Sequence, residues 1–535
     1  MPIPTQRLRR VVATLHPLHS HTAFTATLLL MGSTVASRAI GLAKTKYTAY
    51  LLGRGAAADA FNAAFQLPDM LAYFLVGGAA SITFVSMLAR YRDQGREAEG
   101  ERAMSIILTA MTVVLGSAIV LAEFIAPLYV RLLLHGFEND PPKAALCVQL
   151  TRILLPAQIF FLAGGVFGAV LLVRKQFTVQ AIAPLVYNCG IILGGIVLYR
   201  QLGPRSLAIG AVAGAFLGPF LLNAIWAHRV GMRYRPMFNW SDRGLHEWIH
   251  MSLPLILGIS LVTADNWIIN YFASHSAGDL SLLTYAKQFF TAPVALGQAA
   301  GAASLPFFAS LYAKPDRTMF TLAVSASVSR ILALSVLLTS FMVTMALPAI
   351  DVVLRGGAFH RPDSIAMAHY FAIFSISLCL WSAQAIYSRA FYATGNTLTP
   401  MIAGTAVTLI SVPIYRSLYD SVGPSGLAIA SDIGILMQTV TLAILLHRRR
   451  TVSLRGLDCP ELLRCVVASC VSYVALVTLR HYASSTKRSY ELVLLIGAGL
   501  LWTGVSILAL HLTGSTLASQ LAARFTNPEI GRREK

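Results

Sequence analysis

Long apolar runs separated by short polar loops fill most of this chain of 535 residues. A helix needs ~20 mostly apolar residues to cross a membrane, and windows of that length fit about fourteen times along the chain. The runs are continuous and do not alternate residue by residue, so they predict helices and not barrel strands. The sequence therefore predicts an all-α polytopic membrane protein with about 14 transmembrane helices.

Two pairs of similar stretches indicate an internal repeat. Residues 78–84 read GAASITF and residues 301–307 read GAASLPF, 223 positions later. Residues 177–184 and 393–400 form a second pair, 216 positions apart. The spacing predicts two six-helix lobes plus two C-terminal helices. Parallel repeats of this kind place a substrate site near the bilayer midplane in transporters.

Basic residues concentrate in alternate loops, which predicts the orientation of the chain. Lys and Arg favour cytoplasmic loops, and their distribution here predicts that both termini are cytoplasmic. The predicted organisation is a cytoplasmic tail at 1–22, a first lobe at 23–229, a second lobe at 230–450, two further helices at 451–515 and a basic tail at 516–535.

Composition excludes several functional classes. The chain is 56% hydrophobic and 12% charged, too apolar for a water-facing surface. Its net charge of +19 resides mostly in loops and tails, which predicts membrane topology and not nucleic-acid binding. The six cysteines show no ligand or disulfide spacing, and no catalytic motif is present. We therefore expect no enzyme activity, no cofactor and no metal site.

Cationic residues interrupt the first apolar run. Arg38 lies ~15 residues into this predicted helix, or ~22 Å along it, and Lys44 follows. A charge at this depth costs a few kcal/mol unless it faces protein or a water-filled cavity. We therefore predict that Arg38 and Lys44 line a polar cavity.

The second apolar run contains both acids and helix breakers. Asp69 follows Pro68, and we predict that it lines the cavity and pairs with Arg38 or Lys44. Pro68 and the pair Gly77 and Gly78 predict a bend or hinge.

Three further charged residues leave two interpretations open. Asp59 opens the second predicted helix, where it is either an N-cap or part of the cavity. Asp265 lies deep in the seventh span and Lys287 lies in the eighth. They form either a structural ion pair or part of a solvated cavity.

Several motifs resemble the MurJ/MviN family of lipid II flippases, within the multidrug/oligosaccharidyl-lipid/polysaccharide exporter superfamily. They are SRAIGLAKTKYTAYLLGRGAAADAFNAAFQLPDML, GGAASITFVSMLARY, FTVQAIAPLVYN, SLLTYAKQFF with GAASLPFFASLY, and SRAFYATGNTLTP. The resemblance as a whole covers about residues 25–515 and includes the last two predicted helices. The opening motif is the most specific of these motifs.

The resemblance implies two six-helix lobes around a cationic cavity in a bacterial inner membrane. It implies transfer of lipid II, or a related polyprenyl-diphosphate glycolipid, from the cytoplasmic to the periplasmic leaflet by alternating access. The last two helices, within 451–515, would form a groove for the undecaprenyl tail. A coupling ion or the membrane potential would drive the step, and membrane lipids and the cell-wall synthesis machinery would be partners.

The resemblance also transfers residue roles by position. Ser37 and Arg38 match a serine and an arginine of the family cavity, Lys44 takes the place of a second arginine, and Asp59 matches a family aspartate.

Four positions depart from the family pattern. Family charges fall here on Ala72 and Gly77, and the family's ADR motif reads Ala286-Lys287-Gln288. We therefore expect Lys287 and Gln288 to line a cavity with fewer arginines than the pattern has.

These observations lead to three hypotheses. The first is a lipid II flippase. The second is an ion-coupled exporter of another polyprenyl-linked saccharide or of an amphipathic drug, with Asp265 and Asp59 as candidate cation or proton sites. The third is a family member that does not transport and serves as a scaffold in cell-wall assembly.

Overall fold

The computed structural model describes residues 23–257, 261–449, 451–453, 456–483 and 487–515. The predicted tails at 1–22 and 516–535 lie outside these described residues. Within the described ranges the regular structure is helical, and strand-like pairing is confined to one bridge between Gly356 and Phe359. The predicted all-α class is confirmed.

Ten helices in the described part of the chain are long and apolar enough to span a membrane. An eleventh span results if Arg361–Ile376 and Leu378–Ala393, bent by 43°, are counted as one. The protein is a polytopic membrane protein, while the number fourteen stays a prediction.

The chain divides into two compact units. Unit 1 comprises Met1–Gly258 and Ser274–Leu280, and unit 2 comprises Ile259–Ala273 and Ser281–Lys535. Neither unit is continuous in sequence. The chain changes unit within the predicted seventh span and returns briefly to unit 1 before the eighth.

Unit 1 contains helices α1 to α11. They are α1 Ala23–Leu52, α2 Ala56–Ala64, α3 Gln66–Leu71, α4 Gly77–Asp93, α5 Glu97–Leu133, α6 Pro141–Leu154, α7 Ala157–Val173, α8 Thr178–Leu202, α9 Arg205–Ala215, α10 Asn223–Arg229 and α11 Arg243–Leu257. Two π-helical turns, Ala72–Val76 and Phe216–Leu222, join α3 to α4 and α9 to α10. Pro219 lies in the second turn, and a proline cannot donate to the helical hydrogen-bond ladder.

Unit 2 contains helices α12 to α21. They are α12 Leu261–Ala273, α13 Asp279–Tyr312 (whose first two residues belong to unit 1), α14 Thr318–Thr344, α15 Ala346–Leu354, α16 Arg361–Ile376, α17 Leu378–Ala393, α18 Leu398–Val422, α19 Pro424–Arg448, α20 Cys459–Tyr482 and α21 Arg488–Leu512. One buried cluster joins several of these helices through Phe308, Phe320, Tyr387, Phe391 and Leu446.

Small residues bring α8 and α9 into backbone contact. Gly190 and Gly194 on α8 face Gly210 and Gly214 on α9, and the spacing of four residues puts each pair on one helix face. A Cβ atom added at Gly210 would lie 2.5 Å from the carbonyl oxygen of Gly190. Membrane helices use such faces because lipid gives them no hydrophobic drive to associate.

Helix α5 shows where the apolar residues of unit 1 face outward. Phe124, Leu128 and Leu132, four residues apart, are 77%, 54% and 61% exposed. In water such an apolar stripe would promote aggregation, whereas in a bilayer it contacts the lipid chains. The composition of the chain is therefore explained by a lipid-facing exterior.

Candidate functional site

Helix α1 carries the predicted cavity residues of the first span. Ser37 and Lys44 are half-buried and Arg38 is exposed. Ser37 and Lys44 lie within about 20° of each other around the helix axis, and Arg38 is offset from Ser37 by about 100°. The helix thus presents a hydroxyl and an ammonium on one face, with the guanidinium to one side.

Lys44 and Asp69 form the charged centre of unit 1. Asp69 on α3 is exposed, although the preceding residues 66–68 are buried. It interacts electrostatically with Lys44 on α1, Tyr129 on α5 and Tyr187 on α8. These groups come from four helices of unit 1, and Lys44 and Asp69 interact electrostatically without forming the direct ion pair that the sequence predicts.

The helix that carries Asp69 is broken near the predicted hinge residues. Pro68 is buried in the first turn of α3, and a π-helical turn occupies 72–76. Gly77 and Gly78 begin α4 directly after this turn. Such π-helical turns occur frequently at functional sites.

Asp59 is not the N-cap of its helix. Gly55 holds that position and α2 begins at Ala56, so the N-cap interpretation is wrong. The fully buried Asp59 carboxylate instead accepts hydrogen bonds from Lys143 Nζ and the backbone N–H of Gly278, each with its Oδ2 atom at 2.8 Å. Its distance from the helix start leaves the side chain free to make this tertiary contact.

Unit 2 contains a second polar site, around Asp265. Asp265 on α12 is buried and forms an ion pair with Lys287 on α13. It also accepts hydrogen bonds from Tyr415 on α18 and from Ser431 on α19, the latter at 2.8 Å. One carboxylate thus connects four helices. Its contact with Lys287 is the ion pair of the first interpretation.

Asp432 adds a second acid that our sequence analysis missed. It interacts electrostatically with Asp265 and Lys287. Its Oδ1 atom is buried without a hydrogen-bond partner in the described part of the chain. A second carboxylate therefore lies near the ion pair of Asp265 and Lys287. The criterion that identified Asp265, an acid inside an apolar run, would also have identified Asp432.

The positions that depart from the family pattern are close to these sites. Ala72 is the first residue of the π-helical turn after α3 and is half-buried. Gln288 is half-buried and lies about 100° around α13 from Lys287. Neither position supplies a charge.

The described residues include the side-chain types that bind metal ions in proteins. No group of three or more His, Cys, Asp or Glu side chains among them is arranged to hold a metal ion. The six cysteines are free thiols.

The arrangement of helices defines the class of protein. A solved structure described as the inward-facing conformation of a multidrug resistance MATE family transporter of the MOP superfamily matches with a TM-score of 0.63 and 13% identity. It covers 83% of this chain and 98% of that one. A structure described as lipid II flippase MurJ in an inward closed conformation matches with a TM-score of 0.76 and 19% identity, covering 90% and 99%. The chain is therefore a polytopic membrane protein with the same fold as these two structures.

The family follows from the sequence match. The family described as lipid II flippase MurJ matches residues 48–497. A Treponema pallidum (strain Nichols) protein described as a probable lipid II flippase MurJ is 24% identical, over 86% of this chain and 89% of its own. A Burkholderia cenocepacia protein described as lipid II flippase MurJ is 25% identical, over 80% and 84%. The chain belongs to the MurJ family.

Proposed function

We propose that this protein is a lipid II flippase of the bacterial inner membrane. It moves the undecaprenyl-diphosphate-linked peptidoglycan precursor from the cytoplasmic to the periplasmic leaflet by alternating access. Membership of the MurJ family supports the substrate. The structural observation that carries the proposal is the charged centre of unit 1, where Lys44 interacts electrostatically with the exposed Asp69.

The chemistry of this centre suits an anionic headgroup. A diphosphate needs positive charge where water is scarce, and arginine can hold phosphate oxygens with two parallel hydrogen bonds. Arg38 and Lys44 supply two cations on one membrane helix, and Ser37 adds a hydroxyl on the Lys44 face. Placing these charges in an apolar helix costs free energy, and binding such an anion offsets that cost.

Few cationic side chains are available to bind the headgroup, and this bears on the choice of substrate. Ala72, Gly77 and Gln288 lack the charges that the family pattern has at these positions. Lys287 is engaged with Asp265. The proposed substrate is therefore lipid II or a related polyprenyl-diphosphate glycolipid.

The remaining parts of the proposal concern partners and energy. The protein acts as a transporter and not as an enzyme, without a cofactor, and both termini lie in the cytoplasm. Helices α20 and α21 hold the polyprenyl tail, and cell-wall synthesis enzymes receive the product. A coupling ion or the membrane potential drives transport, and the excess acid at Asp265 and Asp432 supports a cation or proton as the coupling species.

An alternative function is ion-coupled export of another polyprenyl-linked saccharide or of an amphipathic drug. The buried acids of unit 2 favour it, because a carboxylate pair with one lysine takes up a cation or a proton readily. Ion-driven efflux of an amphipathic cation that is lost in Asp265→Asn would support this alternative. A scaffold without transport would instead tolerate neutralisation of both Arg38 and Lys44.

Complementation tests the proposal directly. The chain is expressed in bacteria depleted of their essential lipid II flippase, and lipid II exposed on the outer leaflet is measured. We expect rescue by the wild type and loss of rescue by Arg38→Ala at equal membrane abundance. Lys314→Ala, which removes an exposed loop cation, is the matched control and retains activity.

Two outcomes would change the conclusion. Full rescue by Arg38→Ala would remove the headgroup role of this arginine. A well-inserted wild type that does not rescue would favour another lipid-linked substrate. The variants Ala72→Arg and Gln288→Arg would then show whether the missing charges limit lipid II transport.

A further inference from the structure

A cavity of about 190 Å³ lies in unit 1, between the π-helical turn at 72–76 and helices α5 and α11. Apolar side chains provide most of its walls, among them Phe74, Met111, Val114, Trp240, Trp248 and Ile249. Apolar cavities of about 150 Å³ in proteins stay dry and bind small hydrocarbons. The cavity therefore suits a segment of hydrocarbon chain and not a polar headgroup.

The cavity is accessible from the lipid-facing side of α5. Val114, Trp240 and Ile249 line it and are exposed. Val113, the neighbour of Val114, lies within about 20° of Phe124 around the axis of α5. The cavity therefore adjoins the outward-facing apolar stripe that includes Phe124, and a lipid chain reaches it from the side.

Trp248 adds a polar group to the cavity wall. Its ring packs against Phe84, with 5.6 Å between the ring centroids. The side chain is buried, and its indole N–H has no hydrogen-bond partner in the part of the chain that the structure describes. A buried indole N–H usually has a partner, and leaving it unpaired costs free energy. The ester carbonyl oxygen of a glycerolipid is an acceptor that would arrive together with the hydrocarbon chain.

A basic segment, residues 233–243, runs beside the cavity. The backbone N–H of Arg235 donates to Ser105 Oγ at 3.3 Å, which holds the segment on α5. Ser105 lies about 9 Å along α5 from Met111 in the cavity wall. Trp240, later in the same segment, also lines the cavity. One stretch of chain therefore borders both the N-terminal part of α5 and the cavity.

The segment carries positive charge that its own surroundings leave available. Three of its arginines are exposed and form no ion pair within the described ranges: Arg233, Arg235 and Arg243. The nearby carboxylates are engaged elsewhere, since Glu247 pairs with Arg90 and Asp242 caps the start of α11. An anion beside the cavity would therefore meet unneutralised guanidinium groups, which bind phosphate oxygens well.

We propose that this cavity and the basic segment form a binding site for an anionic glycerophospholipid of the bilayer. One acyl chain fills the cavity, an ester carbonyl oxygen accepts the Trp248 N–H, and the phosphate lies beside the arginines of residues 233–243. The segment is predicted to be cytoplasmic, and the anionic lipids of the cytoplasmic leaflet attract basic segments near the membrane.

This lipid site is distinct from the proposed headgroup site of the transported lipid. Ser37, Arg38 and Lys44 do not line the cavity. The bound lipid fills the space between α5 and α11 and thereby stabilises the packing of α11, the last helix of unit 1 before the chain enters unit 2. The site acts whatever substrate the protein carries.

Native mass spectrometry of the delipidated full-length protein tests the phosphate position. Affinity is measured for phosphatidylglycerol, with phosphatidylcholine as the zwitterionic probe. We expect the double variant Arg235→Gln with Arg243→Gln to bind phosphatidylglycerol roughly fivefold to thirtyfold more weakly, with a smaller effect on phosphatidylcholine. Lys314→Gln with Arg317→Gln, which neutralises two exposed cations of a unit 2 loop, is the matched control and should bind as the wild type does.

Two further variants test the cavity itself. Val114→Trp fills it from the lipid-facing side and should weaken binding of both lipids roughly tenfold, because methylene groups lose their buried position. Val113→Trp adds the same side chain to the neighbouring outward-facing position and should leave both affinities unchanged. Trp248→Phe should weaken ester-linked phosphatidylglycerol roughly threefold but leave its ether-linked analogue, which has no ester carbonyl, unaffected.

Two results would overturn the lipid site. One is equal affinity of the wild type and Val114→Trp for both lipids, because the chain would then bind outside the cavity. The other is an arginine double variant that binds phosphatidylglycerol as tightly as the wild type does. Circular dichroism verifies that each variant is folded, and the exposed arginines provide a test that does not depend on the fold tolerating Val114→Trp.

Discussion

Asp59 and Lys143 form an ion pair enclosed by unit 1, with side chains 0% and 5% exposed and 2.8 Å between Oδ2 and Nζ. The ammonium also lies 4.1 Å from the centre of the Phe137 ring. The backbone N–H of Gly278 completes the surroundings of the carboxylate. A buried pair adds little net stability while intact, but removing one partner leaves an uncompensated charge.

We predict that Lys143→Met destabilises the protein by about 3–5 kcal/mol, because Asp59 is left charged and buried. Thermal unfolding in detergent measures the change. The double variant Asp59→Asn with Lys143→Met should recover part of the loss. If the single variant unfolds at the wild-type temperature, the pair is not a determinant of stability.

The contact between α8 and α9 gives a second prediction. Gly210→Val should destabilise the protein by about 1–3 kcal/mol or more, because the new side chain meets the Gly190 carbonyl. Gly116→Val is the matched control, since nothing lies within 4 Å of a Cβ added at Gly116. Comparable losses in the two variants would mean that helix propensity, and not packing, decides the cost.

Asp69 competes with an anionic ligand for Lys44, which gives a third prediction. Asp69→Asn removes the negative charge and should tighten binding of a polyprenyl diphosphate by roughly threefold to tenfold, the range expected for an interaction of ~1 kcal/mol. Native mass spectrometry with a titrated lipid measures the affinity.

Lys44→Met is the complementary variant, and it should weaken binding of the same lipid. Unchanged affinity in Asp69→Asn and in Lys44→Met would place the headgroup elsewhere.

The excess acid in unit 2 gives a fourth prediction. Lys287→Met removes the ammonium that pairs with Asp265 and interacts electrostatically with Asp432, and it should cost about 3–5 kcal/mol of stability. Asp432→Asn removes the surplus charge and should leave the unfolding temperature unchanged or higher. A loss of stability in Asp432→Asn equal to that in Lys287→Met would show that the Asp432 charge is itself required.

Apolar patterning predicts the fold class well because lipid imposes helices on every span. Apolar patterning predicts the positions of helix breaks less well than it predicts the fold class. Pro68 and Gly77 indicate the π-helical turn at 72–76. The apolar run is unbroken across Pro156, so hydrophobic periodicity alone does not mark the start of α7 at Ala157.

The polar sites were predictable one residue at a time but not as pairs. The depth of Asp265 and Lys287 in apolar runs identified both residues. Nothing in the sequence pattern links Lys143 to its partner Asp59, which lies 84 residues earlier in the chain. Tertiary contacts of this kind depend on helix packing, which sequence periodicity does not contain.

The return of residues 274–280 to unit 1 has a consequence for biosynthesis. The Asp59 carboxylate acquires the Gly278 N–H only after the ribosome has completed the whole of α12. Unit 1 therefore cannot reach its final hydrogen bonding as a nascent chain that stops at residue 257. Maturation of the first half of the protein waits for translation of the second.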